Sequence, residues 1–449
     1  MKYKKSRFNV EIDHLNDGKI LLYNTYSGIF GIMDTQTQKI YEHLEDLSML
    51  DLEDAEMKRN FDTLVKFGYI VNADIDELAA YKLERANMRA RSQVLSLTIA
   101  PTMACNMRCP YCYENKNNKT MSKETREKLV EFVRAHFEAQ PELKLMSVTW
   151  YGGEPLLQKE TIYELSDAFI AICEEHNTNY NAMIITNGAL LDKETAWKLY
   201  DRCKVRKAQI TIDGMPDLHN SRRIFADGTG SFDLIIKNID ECRSFLPIHI
   251  RMNIDKSNVA EAEKFLDFAT TQKKWCGNPN IYLAAVDSYT ESCAHTASMC
   301  LGRPEFAEVK RHFQEMNYAI NPDNVRGEFF PRRIWLHCGA EWQYNYVIDP
   351  EGYYCTCWML IGDEAYRCGH IEKPFAVTTE YYKWLSSEIP EKCNHCEYLP
   401  MCAGGCGYFR MIRDGEPNCV GTYYSYKDTL RLAYRDYIQS KTTSSEHDE

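Results

Sequence analysis

Val94-Leu95-Ser96-Leu97-Thr98-Ile99 runs, five residues on, into Cys105-Asn106-Met107-Arg108-Cys109-Pro110-Tyr111-Cys112, and these two stretches decide how the chain is read. The first is a short apolar run that fits a strand. The second sets three thiols on one loop, at spacings of x3 and x2. Three thiolates can hold three irons of a [4Fe–4S] cluster, leaving the fourth iron open to a substrate or cofactor. The plainer readings are a structural zinc site or buried thiols. Structural zinc sites usually take four ligands, and no fourth Cys or His lies beside this loop.

Outward from the loop, strand patterns alternate with helical ones, and the strands end in polar motifs. Leu145–Trp150 runs into Gly152-Gly153-Glu154-Pro155, and residues 182–185 run into Thr186-Asn187-Gly188. Residues 208–212 run into Asp213-Gly214, Ile248–Ile254 carries Arg251 and Asn253, and residues 281–286 end at Asp287. Helical patterns lie between, as at Lys123–Ala139 and residues 159–176. This alternation predicts an α/β fold with a parallel sheet. In barrels of this kind the chemistry sits at the C-terminal ends of the strands, where these motifs fall.

The run from Cys105 to Cys112 resembles the signature loop of the radical S-adenosylmethionine (SAM) superfamily. The resemblance implies a partial (β/α)6, TIM-like radical SAM barrel over residues 91–329, with Cys105, Cys109 and Cys112 holding the SAM-binding cluster. Gly152-Gly153-Glu154-Pro155 matches the family's GGEP motif, which contacts the amino group of the SAM methionine. Thr211-x-Asp213-Gly214, then His219-Asn220 and Arg223, resembles the fourth-strand stretch of SAM-dependent peptide-modifying members. Ser commonly stands where Thr211 does, and Thr211 keeps the hydroxyl. By this resemblance Thr211 and Arg223 lie near the SAM carboxylate, to which an Arg can make two parallel bonds. Tyr111, Arg251 and Asn253 are further expected cofactor contacts. Taken singly, each of these polar residues also fits ordinary surface or turn chemistry.

Eighteen cysteines in 449 residues is well above ordinary usage. In a reducing compartment, clustered cysteines more often bind metal than form disulfides. Beyond the loop, Cys338-x13-Gly352-x4-Cys357 is followed by Cys393-x2-Cys396-x5-Cys402-x3-Cys406 and by Cys419. This resembles the seven-cysteine SPASM domain of ribosomal-peptide maturases and anaerobic sulfatase maturases; a zinc-ribbon-like fold is the alternative. The family assignment gives an outer auxiliary cluster to Cys393, Cys396, Cys402 and Cys419, and an inner one to Cys338, Cys357 and Cys406. Cys355 or Cys368 would supply the inner cluster's fourth ligand, or the site stays open to a substrate thiolate. The implied cofactors are therefore SAM and three [4Fe–4S] clusters. Cys173, Cys203 and Cys242 sit in helical patterns and read as small buried apolar residues.

The first 90 residues read as a hairpin (20–23 and 29–33 around Tyr26-Ser27-Gly28), helices at 37–47 and 52–67, Gly68 as a stop and a wing strand at 69–71. A charged helical linker follows at 74–91. This order resembles the winged-helix leader-recognition domains of peptide maturases, which bind a leader as an added strand. Residues 330–440 are expected to form an irregular SPASM iron–sulfur domain, and 441–449 a polar disordered tail.

The net charge of −12 disfavours a general nucleic-acid binder. No run approaches 18 apolar residues, and the N-terminus has no apolar signal core, so neither a membrane partner nor export is expected and a cytoplasmic location is. The superfamily resemblance implies that SAM is cleaved reductively to methionine and a 5′-deoxyadenosyl radical, with an electron donor such as flavodoxin or ferredoxin. The substrate would then lose two electrons. Oxidative cross-linking of a ribosomal precursor peptide, through a thioether or C–C bond, is the first expectation. The second is a formylglycine-generating anaerobic sulfatase maturase. In that group an Asp follows the second SPASM cysteine as general base, whereas Trp358 follows Cys357 here. A non-catalytic iron–sulfur module is the third, against which the intact cysteine loop and GGEP stretch argue. No catalytic proton acceptor stands out among the residues.

Overall fold

The computed structural model describes residues 2–12, 15, 18–44, 53–114, 117–275, 277–416, 419 and 421–445. The chain divides into two compact units. One comprises residues 1–90, 317–338 and 388–449; the other comprises 91–316 and 339–387.

The second unit is the parallel α/β sheet. Val94–Ile99, Leu145–Trp150, Asn179–Thr186, Val205–Thr211, Ile248–Ile254 and Asn280–Ala285 lie side by side in chain order, each parallel to the next. Asn345–Ile348 adds in parallel beside Val94–Ile99, and Tyr353–Cys355 and Gly369–His370 extend that edge antiparallel. These pairings draw residues 339–387 into the barrel unit, so the segment 330–440, expected to form one body, is shared between the two.

Side chains alternate across the strands. Leu95, Leu97, Ile184, Ile210, Ile250 and Met252 are buried against Phe132, Phe169, Leu199, Ile239 and Phe265 of the helices. Each such apolar side chain removed from water contributes about 1.5–3 kcal/mol. The alternate residues, Ser96, Thr98, Thr149, Gln209, Arg251 and Tyr282 among them, face away from the helices. Most of these stay partly exposed. One face of the sheet thus makes the core and the other is a polar floor. The helices begin at side-chain caps: Ser122 accepts from the Thr125 N–H ahead of Lys123–Ala139, and Asp192 from the Thr195 N–H ahead of Lys193–Asp201.

In the first unit, Asn9–Ile12, Ile20–Asn24 and Ile29–Met33 form an antiparallel three-stranded sheet, and Tyr3–Lys5 pairs with Ile70–Asn72. The hairpin, both helices (Thr35–Glu42 and Ala55–Lys66) and the wing strand are present. The strands at Tyr3–Lys5 and Asn9–Ile12 were not legible. The expected helix ends at 45–47 and 52 lie outside the described residues. Gly68 (φ +79°) ends Ala55–Lys66, and the linker helix is Glu77–Ala90. The C-terminus departs from expectation. Gly421–Ser445 is one helix, so the tail expected to be disordered from residue 441 is helical to Ser445. Tyr426, Leu430 and Tyr434, spaced four apart, bury against Val10, Ile12, Leu21 and Tyr23, and this apolar stripe anchors the helix.

Candidate active site

The cysteine loop leaves the strand Val94–Ile99 and is held against the end of Leu145–Trp150 by main-chain bonds. Gly153 N–H donates to Thr102 O (3.2 Å) and Glu154 N–H to Ala104 O (2.8 Å). Only glycines allow this approach. A Cβ on Gly152 (φ +110°) would lie 2.4 Å from Thr102 O, and one on Gly153 would lie 2.3 Å from Ala104 O. On its far side the loop is pinned to residues 224–226, by Arg108 N–H to Ile224 O and Ala226 N–H to Asn106 O (both 2.9 Å). Cys105, Cys109 and Cys112 are each partly buried.

Glu154 is fully buried. Its carboxylate accepts from the Thr186 hydroxyl (2.7 Å), the Asn187 N–H (2.8 Å) and the Leu156 N–H (3.0 Å). Burial raises its pKa, and these donors oppose the shift. The side chain ties the turn after Leu145–Trp150 to the end of Asn179–Thr186, and Asn187 in turn donates to Asn106 in the cysteine loop (2.7 Å).

Asp213 ends the fourth strand and is fully buried. It accepts from the Tyr111 hydroxyl, from Arg222 Nε (3.4 Å) and from the Asn253 N–H (3.2 Å). Arg222 also bonds Asp255 (2.7 Å) and lies over the Tyr111 ring. Burial works against its charge, but Asp213 and Asp255 outweigh it and its pKa rises. Sequence reading passed over Arg222, and placed Asp213 in its motif without a role. The signal was there, because a buried Asp needs a cation nearby.

Arg223 is also buried, and its Nη1 donates to the Tyr111 hydroxyl (2.8 Å). Its Nε is buried with no hydrogen-bond partner. Asn253 Nδ2 reaches the same hydroxyl at 3.4 Å, and Asn253 Oδ1 accepts from Arg251 Nε (2.8 Å). Burial pushes the Tyr111 phenol well above its usual range. His219 is locked behind this cluster. Its Nδ1 accepts from the Asp213 N–H, and its Nε2 meets Ser231, whose hydroxyl donates to Arg223 O (2.6 Å). Burial first, then Arg223 and Arg222, lower its pKa to about 3, so it is neutral.

Tyr111, Arg223 and Asn253 therefore share one polar cluster, while Glu154, Gly152 and Gly153 shape and brace the loop. Thr211 sits at the sheet's polar end, paired in register with Arg251. Among the described residues no three His, Cys, Asp or Glu side chains converge on a point for one metal ion. A [4Fe–4S] cluster instead takes each thiolate on a separate iron. The donor set, the glycine cradle and the orphaned Arg223 Nε all fit a three-thiolate cluster with a carboxylate-bearing ligand beside it.

The other cysteines are divided. Cys338, Cys393, Cys396, Cys402, Cys406 and Cys419 lie in the first unit. There burial, then Cys396 and Cys419, raise the pKa of Cys393, so these three thiols are neighbours. Ala403, Gly404 and Gly405 take positive φ in succession (52°, 87°, 78°), a tight turn between Cys402 and Cys406. Cys355, Cys357 and Cys368 lie in the barrel unit and are buried. Cys355 Sγ approaches Cys357 O at 3.2 Å, and burial, then Cys368, raise its pKa.

Residues 99–269 match the Radical SAM superfamily. The chain is similar to the serine-type anaerobic sulfatase-maturating enzyme of Klebsiella aerogenes, at 21% identity over 360 residues (75% of this chain, 85% of that protein). Among solved structures, anSMEcpe with bound AdoMet and Cp18Cys peptide superposes with a TM-score of 0.58 at 20% identity, covering 78% of this chain and 99% of that one. Streptococcus suis SuiB bound to precursor peptide SuiA superposes with a TM-score of 0.52 at 14% identity, covering 93% of this chain and 98% of that one. No helix among the described residues is long and apolar enough to cross a membrane.

Proposed function

Because this chain belongs to the radical SAM superfamily, we propose that it oxidises a side chain within a peptide substrate, and that the substrate is a ribosomal precursor bearing a leader. Cys105, Cys109 and Cys112 would hold the cluster, with Arg223 and Asn253 beside the SAM carboxylate. When bound, this pair of cofactors supplies one-electron cleavage of SAM and a carbon radical able to take hydrogen from an unactivated carbon. The chain's own residues set the stage. Gly152 and Gly153 admit the loop, Glu154 ties its own turn to the end of Asn179–Thr186, and Asp213 orients Tyr111 against Arg223. Asp213 and Arg223 are buried, and with Tyr111 and Asn253, which are partly buried, they would limit water around the reacting atoms.

The observation that carries the precursor reading is coverage. The anSMEcpe chain is matched over 99% of its length yet spans only 78% of this chain, whereas the SuiB match spans 93%. The remainder includes room for the first unit's three-stranded sheet, whose edge strand Ile29–Met33 suits an added leader strand. The curated relatives favour a second reading, formylglycine formation on a sulfatase. Trp358 after Cys357, in place of that group's Asp, supports the precursor reading instead. Two auxiliary clusters held by the remaining SPASM-like cysteines belong to the same proposal.

The test is anaerobic incubation of the reconstituted, reduced protein and its Cys109→Ala variant with two peptides: a precursor encoded beside the gene, with and without its leader, and a sulfatase-derived peptide. We expect 5′-deoxyadenosine release and loss of two hydrogens from the leader-bearing precursor, both absent in the variant. An aldehyde on the sulfatase peptide, with the precursor untouched, would establish the second reading.

A further inference from the structure

Four aromatic rings of the barrel unit are linked into one wall beside the cysteine loop. Tyr151 directly follows the strand Leu145–Trp150, and its N–H donates to Ile99 O (2.9 Å). The next residue is Gly152, whose close approach to Thr102 fixes this turn against the loop. Tyr113 comes straight after Cys112. The hydroxyls of Tyr151 and Tyr113 are hydrogen-bonded to each other. The Tyr289 ring meets Tyr113 edge-on (centroids 5.8 Å apart, 71°), and the Thr290 hydroxyl donates to Tyr113 O (2.8 Å). On the other side the Trp358 indole stacks on Tyr151 (5.9 Å, 26°). The wall thus comprises Tyr289, Tyr113, Tyr151 and Trp358, in that order.

Its two stacked members differ in access: Tyr151 is 5% exposed and Trp358 43%. Trp358 is nevertheless held in place. It opens the short turn Trp358–Leu360, in which Leu360 N–H donates to Cys357 O (3.0 Å) and Ile361 N–H to Trp358 O (3.3 Å). Just before it, Thr356 O accepts from the buried Asn345 side chain (3.0 Å). A fixed indole, stacked on a buried phenol, therefore keeps much of its own surface in water. It does so one ring away from the residue that adjoins Cys112.

The charges along the wall oppose each other. Burial, then Glu114, raise the pKa of the Tyr113 phenol, and Tyr151 and Arg251 work against them. One carboxylate and one guanidinium thus act on the same ring. An incoming charge of either sign would meet one attraction and one repulsion. A neutral ring meets neither, and adds a third layer to the stack.

We propose that Trp358 is a specificity-determining residue, which stacks on an uncharged aromatic side chain of the substrate close to the residue oxidised. The proposal rests on the peptide reading above and adds a side-chain requirement to it.

Binding can be read without turnover, whereas product masses decide the peptide reading, so the two can fail separately. The reconstituted protein, oxidised, anaerobic and saturated with SAM, is titrated under saturation-transfer NMR with three probes: the N-acetyl N-methylamides of phenylalanine, leucine and lysine. The phenylalanine probe should bind about three- to tenfold more tightly than the leucine probe, the range that one aromatic pair supplies. Trp358→Leu should remove this preference. Trp358→Phe, which keeps a ring, should retain it and so separates lost stacking from lost folding. Trp197→Leu alters a second exposed tryptophan of the barrel unit (51%) and should leave the preference intact. Equal binding of the phenylalanine and leucine probes, a preference that survives Trp358→Leu, or one that is lost in Trp197→Leu would overturn the proposal. Tightest binding of the lysine probe would overturn it too, in favour of a cationic side chain over the indole.

Discussion

Arg223 and Tyr111 meet through a single hydrogen bond, Nη1 to the hydroxyl at 2.8 Å, although a guanidinium carries five donors and Arg223 Nε is buried with no partner. A buried donor without a partner costs about 1–3 kcal/mol, and a carboxylate-bearing ligand would remove that cost. Arg223→Met should therefore weaken SAM binding by about ten- to a hundredfold, the equivalent of ~1.5–3 kcal/mol for a bond to a charged group. Arg223→Lys, which keeps the charge and loses the fork, should fall between. Isothermal titration of the reconstituted protein with SAM reads this directly. Wild-type affinity in the Met variant would remove Arg223 from the site.

Gly153→Ala should displace the cysteine loop. The new Cβ would meet Ala104 O at 2.3 Å and Met103 O at 2.5 Å, both backbone atoms that no rotamer can move aside. Overpacking of this kind costs about 1–3 kcal/mol or more. The expected outcome is a lower thermal midpoint together with less iron bound after reconstitution. Wild-type iron content would mean the loop has slack that the structure does not show.

His219 predicts an acid-sensitive stability. Its folded pKa of about 3 lies below the ordinary unfolded value of ~6.5. The unfolded chain therefore binds the extra proton, and stability is lost as pH falls from about 6.5 towards 3. At pH 5.5 the loss is about 1.4 kcal/mol from this residue alone. The shift in urea midpoint between pH 7 and 5.5 should be smaller in His219→Asn than in the wild type. Identical shifts would show that the imidazole titrates freely in the folded protein.

Burial separates two kinds of cysteine. It raises Cys173 and Cys242 to about 12 and Cys203 to about 11, so almost no thiolate forms at neutral pH. Iodoacetamide at pH 8 should leave these three unmodified in the folded, iron-free protein while alkylating Cys105, Cys109 and Cys112, which are only partly buried. Peptide mapping by mass spectrometry checks it. Alkylation of Cys173 in the folded state would contradict its placement in the core.

The sheet was legible because its strands are apolar runs ending in Gly, Asn and Asp, and the thiol loop because its spacing is short and local. What escaped depends on approaches between segments far apart in sequence. Nothing local to Arg222 and Arg223 says that the first turns to Asp255 and the second to Tyr111. Glu154 matches its motif, but its bonds to Thr186 and Asn187 become visible only when strand ends are side by side. The helix Gly421–Ser445 was missed for a different reason. Its stripe of Tyr426, Leu430 and Tyr434 is built largely from tyrosines, which look polar by composition yet bury their rings.

That stripe bears on how the protein is made. Val10, Ile12, Leu21 and Tyr23 leave the ribosome early, but the residues that cover them, Tyr398, Tyr426, Leu430 and Tyr434, follow after about 400 more have been added. At usual elongation rates the wait is roughly 20–80 s. Throughout it the newborn amino-terminal sheet shows an oily flank to a crowded cell, so its yield should depend on chaperones or on slow translation, and a stop codon before residue 421 should leave the nascent chain open to proteolysis at its beginning rather than its end.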